Sequence, residues 1–170
     1  ILKQHPLQEG EDRTEKKILA LLVEVGECAN EHRGFKFWSE NQKPRTFGTR
    51  ANTTGTYTCN PVLEEYVDGL HFVLSLGNEI EFNEAPFMTN TDPYIHTEDE
   101  DVNAQFIEVF HDIAYYWNNF KNEEDRFEDY EDILRTYLGL GQVLGFTPEE
   151  IEEPYFQKNQ INHDRQKSGY

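Results

Sequence analysis

The sequence predicts an all-α fold, and three observations carry the prediction. Apolar residues recur at helical spacing along most of the chain. The clearest interruption, residues 39–61, is dominated by Thr, Gly, Asn and Pro. No strand is expected outside a short β-hairpin in its TGTYTC run. With 170 residues the chain fits one domain of ordinary size with a real core, so 1–170 is read as a single domain.

The elements follow in order. The opening ILKQHPLQEGEDR is polar and broken by Pro6 and Gly10, the end of an earlier element plus a loop. A first helix is expected from near Asp12 to about His32. Asp12 is its cap, Glu15 completes a capping-box-like pattern, and Gly34 suits its stop. Residues 39–61 then form a long loop whose core, 44–60, stands as an insert before the next helix. That second helix runs from Val62 to Glu79, and the irregular acidic NEAPFMTNTDPY follows. A third helix is expected over 97–120, with Phe106, Ile107, Phe110, Ile113, Ala114 and Trp117 at helical spacing, and a fourth from Glu123 to Leu140. The segment 84–120 is expected to be the more mobile part. Thr147 and Pro148 open the last helix, a Thr N-cap with Pro in the first turn, and the chain end continues it before fraying.

Composition narrows the function. Hydrophobic residues at 36% and aromatics at 14% argue against disorder. A formal net charge of -18 repels phosphate backbones, so general nucleic-acid binding is excluded. Cys28 and Cys59 are too few for a disulfide framework, and both are expected reduced in a cytoplasmic protein. No apolar run is long enough to span a bilayer, and no signal-peptide pattern is present.

Two carboxylate pairs stand out. The second helix is apolar nearly all round, with Leu63, Tyr66, Val67, Leu70, Val73 and Leu74 on one broad face and Phe72 and Leu76 on the other. Glu65 and Asp68 are therefore carboxylates of a mostly buried helix. In the first helix Ile18, Leu21, Leu22, Val25 and Ala29 form the core stripe. Glu24, Glu27 and Glu31 lie opposite, flanked by Leu19 and Val23. Spacing alone leaves Glu24 and Glu27 two readings, a solvated face or half of a shared site. If ExxE and ExxD face each other, two like charges about 4 Å apart cost roughly 4 kcal/mol at an effective dielectric near 20. Protonation or divalent cations relieve that repulsion. An all-oxygen donor set suits Mg²⁺ or Mn²⁺ rather than zinc, and points to a phosphorylated substrate. The scarce cations fit. Lys36 stands beside Trp38, and Lys158, Asn162 and Arg165 share one helical face. That stripe either grips phosphate and sugar oxygens or simply ends a helix with favourable charge.

Four stretches, LLVEVGECANE, FKFWS, EEYVDGLHFVLSLG and KNQINHDRQKSGY, together resemble the dimeric all-α dUTPases, within the wider all-α nucleoside-triphosphate pyrophosphatases. ExxE with ExxD marks only the superfamily; the other elements are specific to the dUTPase branch. The resemblance implies a helical bundle around a four-carboxylate metal site, a homodimer, and hydrolysis of dUTP, and dUDP, to dUMP. Glu24, Glu27, Glu65 and Asp68 match the ligands of two or more Mg²⁺ ions. Glu24 or Glu27, with Glu24 favoured, matches the residue that deprotonates the attacking water. Phe72 matches the aromatic that packs on uracil, Lys36 and Trp38 a phosphate contact and the pocket wall. Lys158, Asn162, Arg165 and Tyr170 belong to the closing motif. Two features depart from the family. Neither Gln4 nor Gln8 stands in an evident helix, so the glutamine that reads the uracil edge is not assigned. The interval from Glu27 to Glu65 is long, and its insert is a lid, a dimer contact or an inert excursion. His71 reads as a satisfied structural histidine and Cys28 as a core thiol. The alternatives are a superfamily enzyme acting on dCTP or a non-canonical nucleotide, and an acidic interaction protein or DNA mimic. The buried ExxD helix argues against the mimic, which needs its carboxylates outside.

Overall fold

The computed structural model describes residues 11–52, 55–82, 91–97, 101–120 and 125–167, with backbone alone at 52 and 161–167. Gln4, Gln8, Glu123, Tyr170 and the side chains of Asn162 and Arg165 lie outside what it describes. The described elements are α1 (Thr14–His32), β1 (Gly48–Asn52), β2 (Gly55–Cys59), α2 (Pro61–Glu79), α3 (Val102–Asn119), α4 (Arg126–Val143) and α5 (Pro148–Lys167). The fold is all-α with one small hairpin. Among the described residues no helix is long and apolar enough to cross a membrane.

Helix ends show where local chemistry overrode the simplest reading. Asp12 acts from one position further out than expected: its carboxylate accepts from the Thr14 N–H at 2.8 Å, and Arg13 takes the cap position without a side-chain bond. The α1 stop is Arg33, not Gly34. Arg33 adopts a left-handed φ of 69°, and its guanidinium donates twice to the Asn41 carbonyl, at 2.9 and 2.7 Å. Those bonds offset the cost of a side chain in that conformation. α2 starts on Asn60, whose side chain accepts from the Leu63 N–H, with Pro61 in the first turn. α5 starts on a reciprocal box between Thr147 and Glu150. The hairpin is larger than TGTYTC. Its first strand is GTRAN, paired antiparallel from Gly48 opposite Cys59 to Asn52 opposite Gly55. Strand β1 has no buried face to impose alternation, so it leaves no periodic signal.

Contacts at their ends show α1 and α2 to be antiparallel. Lys17 and Thr14 reach Glu79 at one end, at 2.5 and 3.3 Å. The Cys28 thiol donates to the Val62 carbonyl at the other. α2 and α4 are antiparallel by the same argument. Tyr66 and Tyr137 stack with centroids 4.9 Å apart, the Tyr137 hydroxyl donates to the Tyr66 carbonyl at 2.7 Å, and Tyr130 donates to Val73 at 3.1 Å. Helix α2 is thus the centre of the bundle, packed on α1, α4 and α5.

Helix α3 buries part of the expected stripe, Phe106 and Ile113 with Phe110 half-buried, on a face turned toward Gln105. Gln105, Phe106, Val109, Ile113 and Tyr116 point inward, while Ile107, Ala114 and Trp117 are exposed. The reason is Gln105, a polar residue that hydropathy places outside. Its amide accepts from the His96 N–H and donates to the carbonyls of Tyr94 and Thr136, at 2.8, 2.9 and 2.9 Å. A fully satisfied amide is tolerated in a core. Helix α4 runs past Leu140 to Val143 and ends before Gly145, where φ is 83°.

Candidate active site

The antiparallel α1–α2 pair sets the middle of one helix against the first half of the other, and the site forms there. Carboxylate oxygens of Glu24, Glu27 and Glu65 all come within 4.8 Å of one another. Asp68, one turn on from Glu65, stands beside them, and its Oδ2 accepts from the Lys158 ammonium of α5 at 2.6 Å.

The electrostatics record this crowding. Burial pushes the Glu24 carboxyl up to about 7, and the charges of Asp68, Glu27 and Glu65 add to the rise, with Lys158 opposing. Burial likewise pushes Glu65 up to about 7, with Asp68 and Glu27 adding and Lys158 and Arg50 opposing. Without a further cation, the cluster therefore relieves its repulsion by holding protons. An oxygen-only set with this excess of negative charge fits a hard divalent cation.

The other sequence-predicted residues are placed unequally. Phe72 is half-buried and packs against the core from α2, one turn past Asp68. Lys36 donates to the backbone and side-chain oxygens of Asn30. Trp38 is 65% exposed and meets Phe35 and Phe37 edge-on. Among the described residues, the side chains of both meet Asn30, Phe35 and Phe37, in the last turn of α1 and just after it. His71 stacks on Tyr155 with centroids 4.2 Å apart. Its buried Nε2 has no hydrogen-bond partner among the described residues, so it is a packed rather than a satisfied histidine.

One residue that sequence reasoning passed over reaches the cluster. Arg50 of β1 donates through Nε to Glu64 at 3.1 Å and brings Nη2 to 3.5 Å from Glu65. No local spacing in the sequence ties Arg50 to Glu65; the hairpin register does. A second group of ligand atoms, from Glu108, His111 and Asp112, lies on α3. There His96 meets Glu108 and Arg135 lines the same hollow with Asp112 and Asp132, so a fixed cation already stands among those carboxylates. The α1–α2 cluster is the stronger cation site.

A family model described as dUTPase matches residues 1–170. No curated protein and no solved structure matches the chain. A match along the whole length, on an all-α bundle that gathers acidic side chains from two helices, decides the matter: the chain belongs to the dUTPase family and is a dUTP diphosphatase.

Proposed function

We propose that this enzyme hydrolyses dUTP, and also dUDP, to dUMP, using magnesium held by Glu24, Glu27, Glu65 and Asp68, with manganese as a substitute. The observation that carries the reading is the convergence of the Glu24, Glu27 and Glu65 oxygens within 4.8 Å, with Asp68 bound to Lys158 at their edge. Magnesium bound there would neutralise the crowded carboxylates and draw charge from the phosphate chain.

The chain's own residues do the rest. Glu24 takes a proton from the attacking water, the role its place in the ExxE pair matches in the family. Burial and its acidic neighbours raise its carboxyl to about 7, as they do that of Glu65, so it can accept a proton near neutral pH. The water oxygen bonds to the β-phosphorus as the bond to the α,β-bridging oxygen breaks. dUMP leaves with pyrophosphate, or with phosphate when dUDP is the substrate. Glu27, Glu65 and Asp68 fix the geometry. Phe72 offers a ring for uracil, and Lys36 and Trp38 form a phosphate contact and a wall. Lys158, Asn162, Arg165 and Tyr170 close on phosphates and sugar. Lys158, paired with Asp68 here, would be free to meet a phosphate oxygen where a metal held Asp68 instead. A homodimer in the cytoplasm completes the reading, supported by the exposed Leu19 and Val23 of α1 and Ile107 and Trp117 of α3.

The test is release of phosphate and pyrophosphate from dUTP, dUDP, dCTP, dTTP and UTP, each with magnesium and with EDTA. The expected result is turnover of dUTP and dUDP alone, abolished by EDTA. Preference for dCTP would assign the base pocket to a different pyrimidine, and full activity in EDTA would remove the metal.

A further inference from the structure

We propose that Arg50, carried to the carboxylates by the hairpin insert, binds the phosphate chain of the nucleotide. The inference rests on the metal-dependent reading above and deepens it.

The insert is fastened to both site helices. The Arg45 N–H donates to the Glu31 carbonyl of α1 at 3.1 Å, and the Val62 N–H of α2 donates to the Arg45 carbonyl at 3.4 Å. Arg45 also pairs with both oxygens of the Glu31 side chain. Gly48 lies so close to Pro61 that a β-carbon there would be 3.1 Å from the ring. On this support Arg50 faces Tyr57 across the hairpin, and both reach Glu64 in the first turn of α2. Nε is engaged by Glu64, which orients the guanidinium. Nη2 makes only a loose contact with Glu65, and the side chain is 49% exposed. A planar cation held at one edge by Glu64, half-exposed and only loosely engaged by Glu65 at the other, is shaped for bidentate phosphate contact. It stands beside a cluster where the substrate would bring the negative phosphate charge it can answer. As a surface ion pair alone, Arg50 contributes little to stability, so its removal leaves the fold standing.

The experiment measures binding by calorimetry for wild type, Arg50→Ala and Arg50→Lys, using α,β-imido-dUTP and dUMP, each with magnesium and with EDTA. With magnesium, Arg50→Ala is expected to weaken imido-dUTP about ten- to a hundredfold and leave dUMP within about twofold, with Arg50→Lys between. Unchanged imido-dUTP binding would reduce Arg50 to a counter-ion of Glu64 and Glu65 and overturn the proposal, as would equal loss for both ligands. Wild-type binding of imido-dUTP that is indifferent to EDTA overturns the magnesium site instead, while the comparison of variants still decides Arg50.

Discussion

Replacing Gly69 with alanine tests what holds α2, and with it Glu65 and Asp68, in place. A β-carbon at Gly69 would fall inside the contact distance of the Tyr137 hydroxyl and 3.0 Å from its Cζ. Tyr137 is wholly buried and has nowhere to retreat. Overpacking of this kind costs about 1–3 kcal/mol. Driving the hydroxyl off the Tyr66 carbonyl, 2.7 Å away, strands it in the core for about another 1–3 kcal/mol. Helix propensity returns about 1 kcal/mol. The net expectation is a loss of about 3 kcal/mol. Tyr137→Phe alone should cost only about 1 kcal/mol, because the Tyr66 carbonyl lies inside a helix and keeps its backbone partner. In the double variant the new methyl occupies the room the hydroxyl left and meets only ring carbons, at 3.0 and 3.4 Å. It should be more stable than Gly69→Ala, with a coupling of about 2 kcal/mol. Urea unfolding followed by circular dichroism, in EDTA throughout, measures all four corners of the cycle. Additive losses would show that the hydroxyl and the glycine are not in the contact described, and the reasoning would fall.

Three further outcomes are expected. In EDTA, stability should fall as pH rises from 5 to 8. Glu24 and Glu65 hold protons in the fold up to about 7, against 4.5 as their ordinary value, so ionising them above that range penalises the folded state. With both side chains partly solvated the fall is of order 1 kcal/mol. His32 and His71, lowered by burial, work in the opposite sense as pH drops. The difference between urea midpoints with and without magnesium removes His32, whose shift no site carboxylate sets, and leaves the carboxylates with His71 beside Asp68. A difference that does not grow with pH refutes the crowding. Glu24→Gln should lower kcat about 10²- to 10⁴-fold while imido-dUTP still binds, read by pyrophosphate release; a loss below tenfold removes Glu24 as the base. Gln105→Leu strands the Tyr94 and Thr136 carbonyls and the His96 N–H. The Tm should drop by about 5–10 °C in a thermal melt, and an unchanged melt would mean that water satisfies these groups.

Helix α2 was the most legible element because it is buried on more than one side, so Glu65 and Asp68 stood out against an apolar background. Glu24 and Glu27 did not stand out in the same way. Their neighbours Leu19 and Val23 are 62% and 49% exposed, and a stripe with such flanks reads equally as a solvated face. Only the antiparallel pairing with α2, or the family's ExxE pattern, separates the two readings. Hydropathy places Phe106 and Ile113 of α3 correctly in the core but misses that the buried face turns to include Gln105, because it counts Gln105 as polar without knowing that three backbone groups await it. Arg50 was out of reach for a similar reason. Its partners lie across a hairpin and on the next helix, and GTRAN carries no periodicity that would announce a strand.

The glycines of α2 and α4 carry a signal that propensity misreads. Each costs about 1 kcal/mol in a helix interior, and counted that way Gly139 and Gly141 end α4 early. Contacts reverse the meaning. The Tyr137 hydroxyl sits on Gly69, the Tyr130 hydroxyl on Gly77, and in the other direction the Tyr66 hydroxyl sits on Gly141. From Gly69 to Gly77 is a rise of about 12 Å, and from Tyr130 to Tyr137 about 10.5 Å. Two long side chains on one helix therefore meet two gaps on its antiparallel neighbour at matching separation. Such a two-point contact fixes the sliding register of α2 against α4. Glu65 lies off that seam toward α1 and Asp68 toward Lys158 of α5, and the height at which they meet Glu24 and Glu27 is set by the α1–α2 contacts of Glu79 and Cys28. A glycine and a tyrosine at matched spacings in two apolar helices is thus a packing signature, and here it anchors α2, the helix that carries Glu65 and Asp68, to α4.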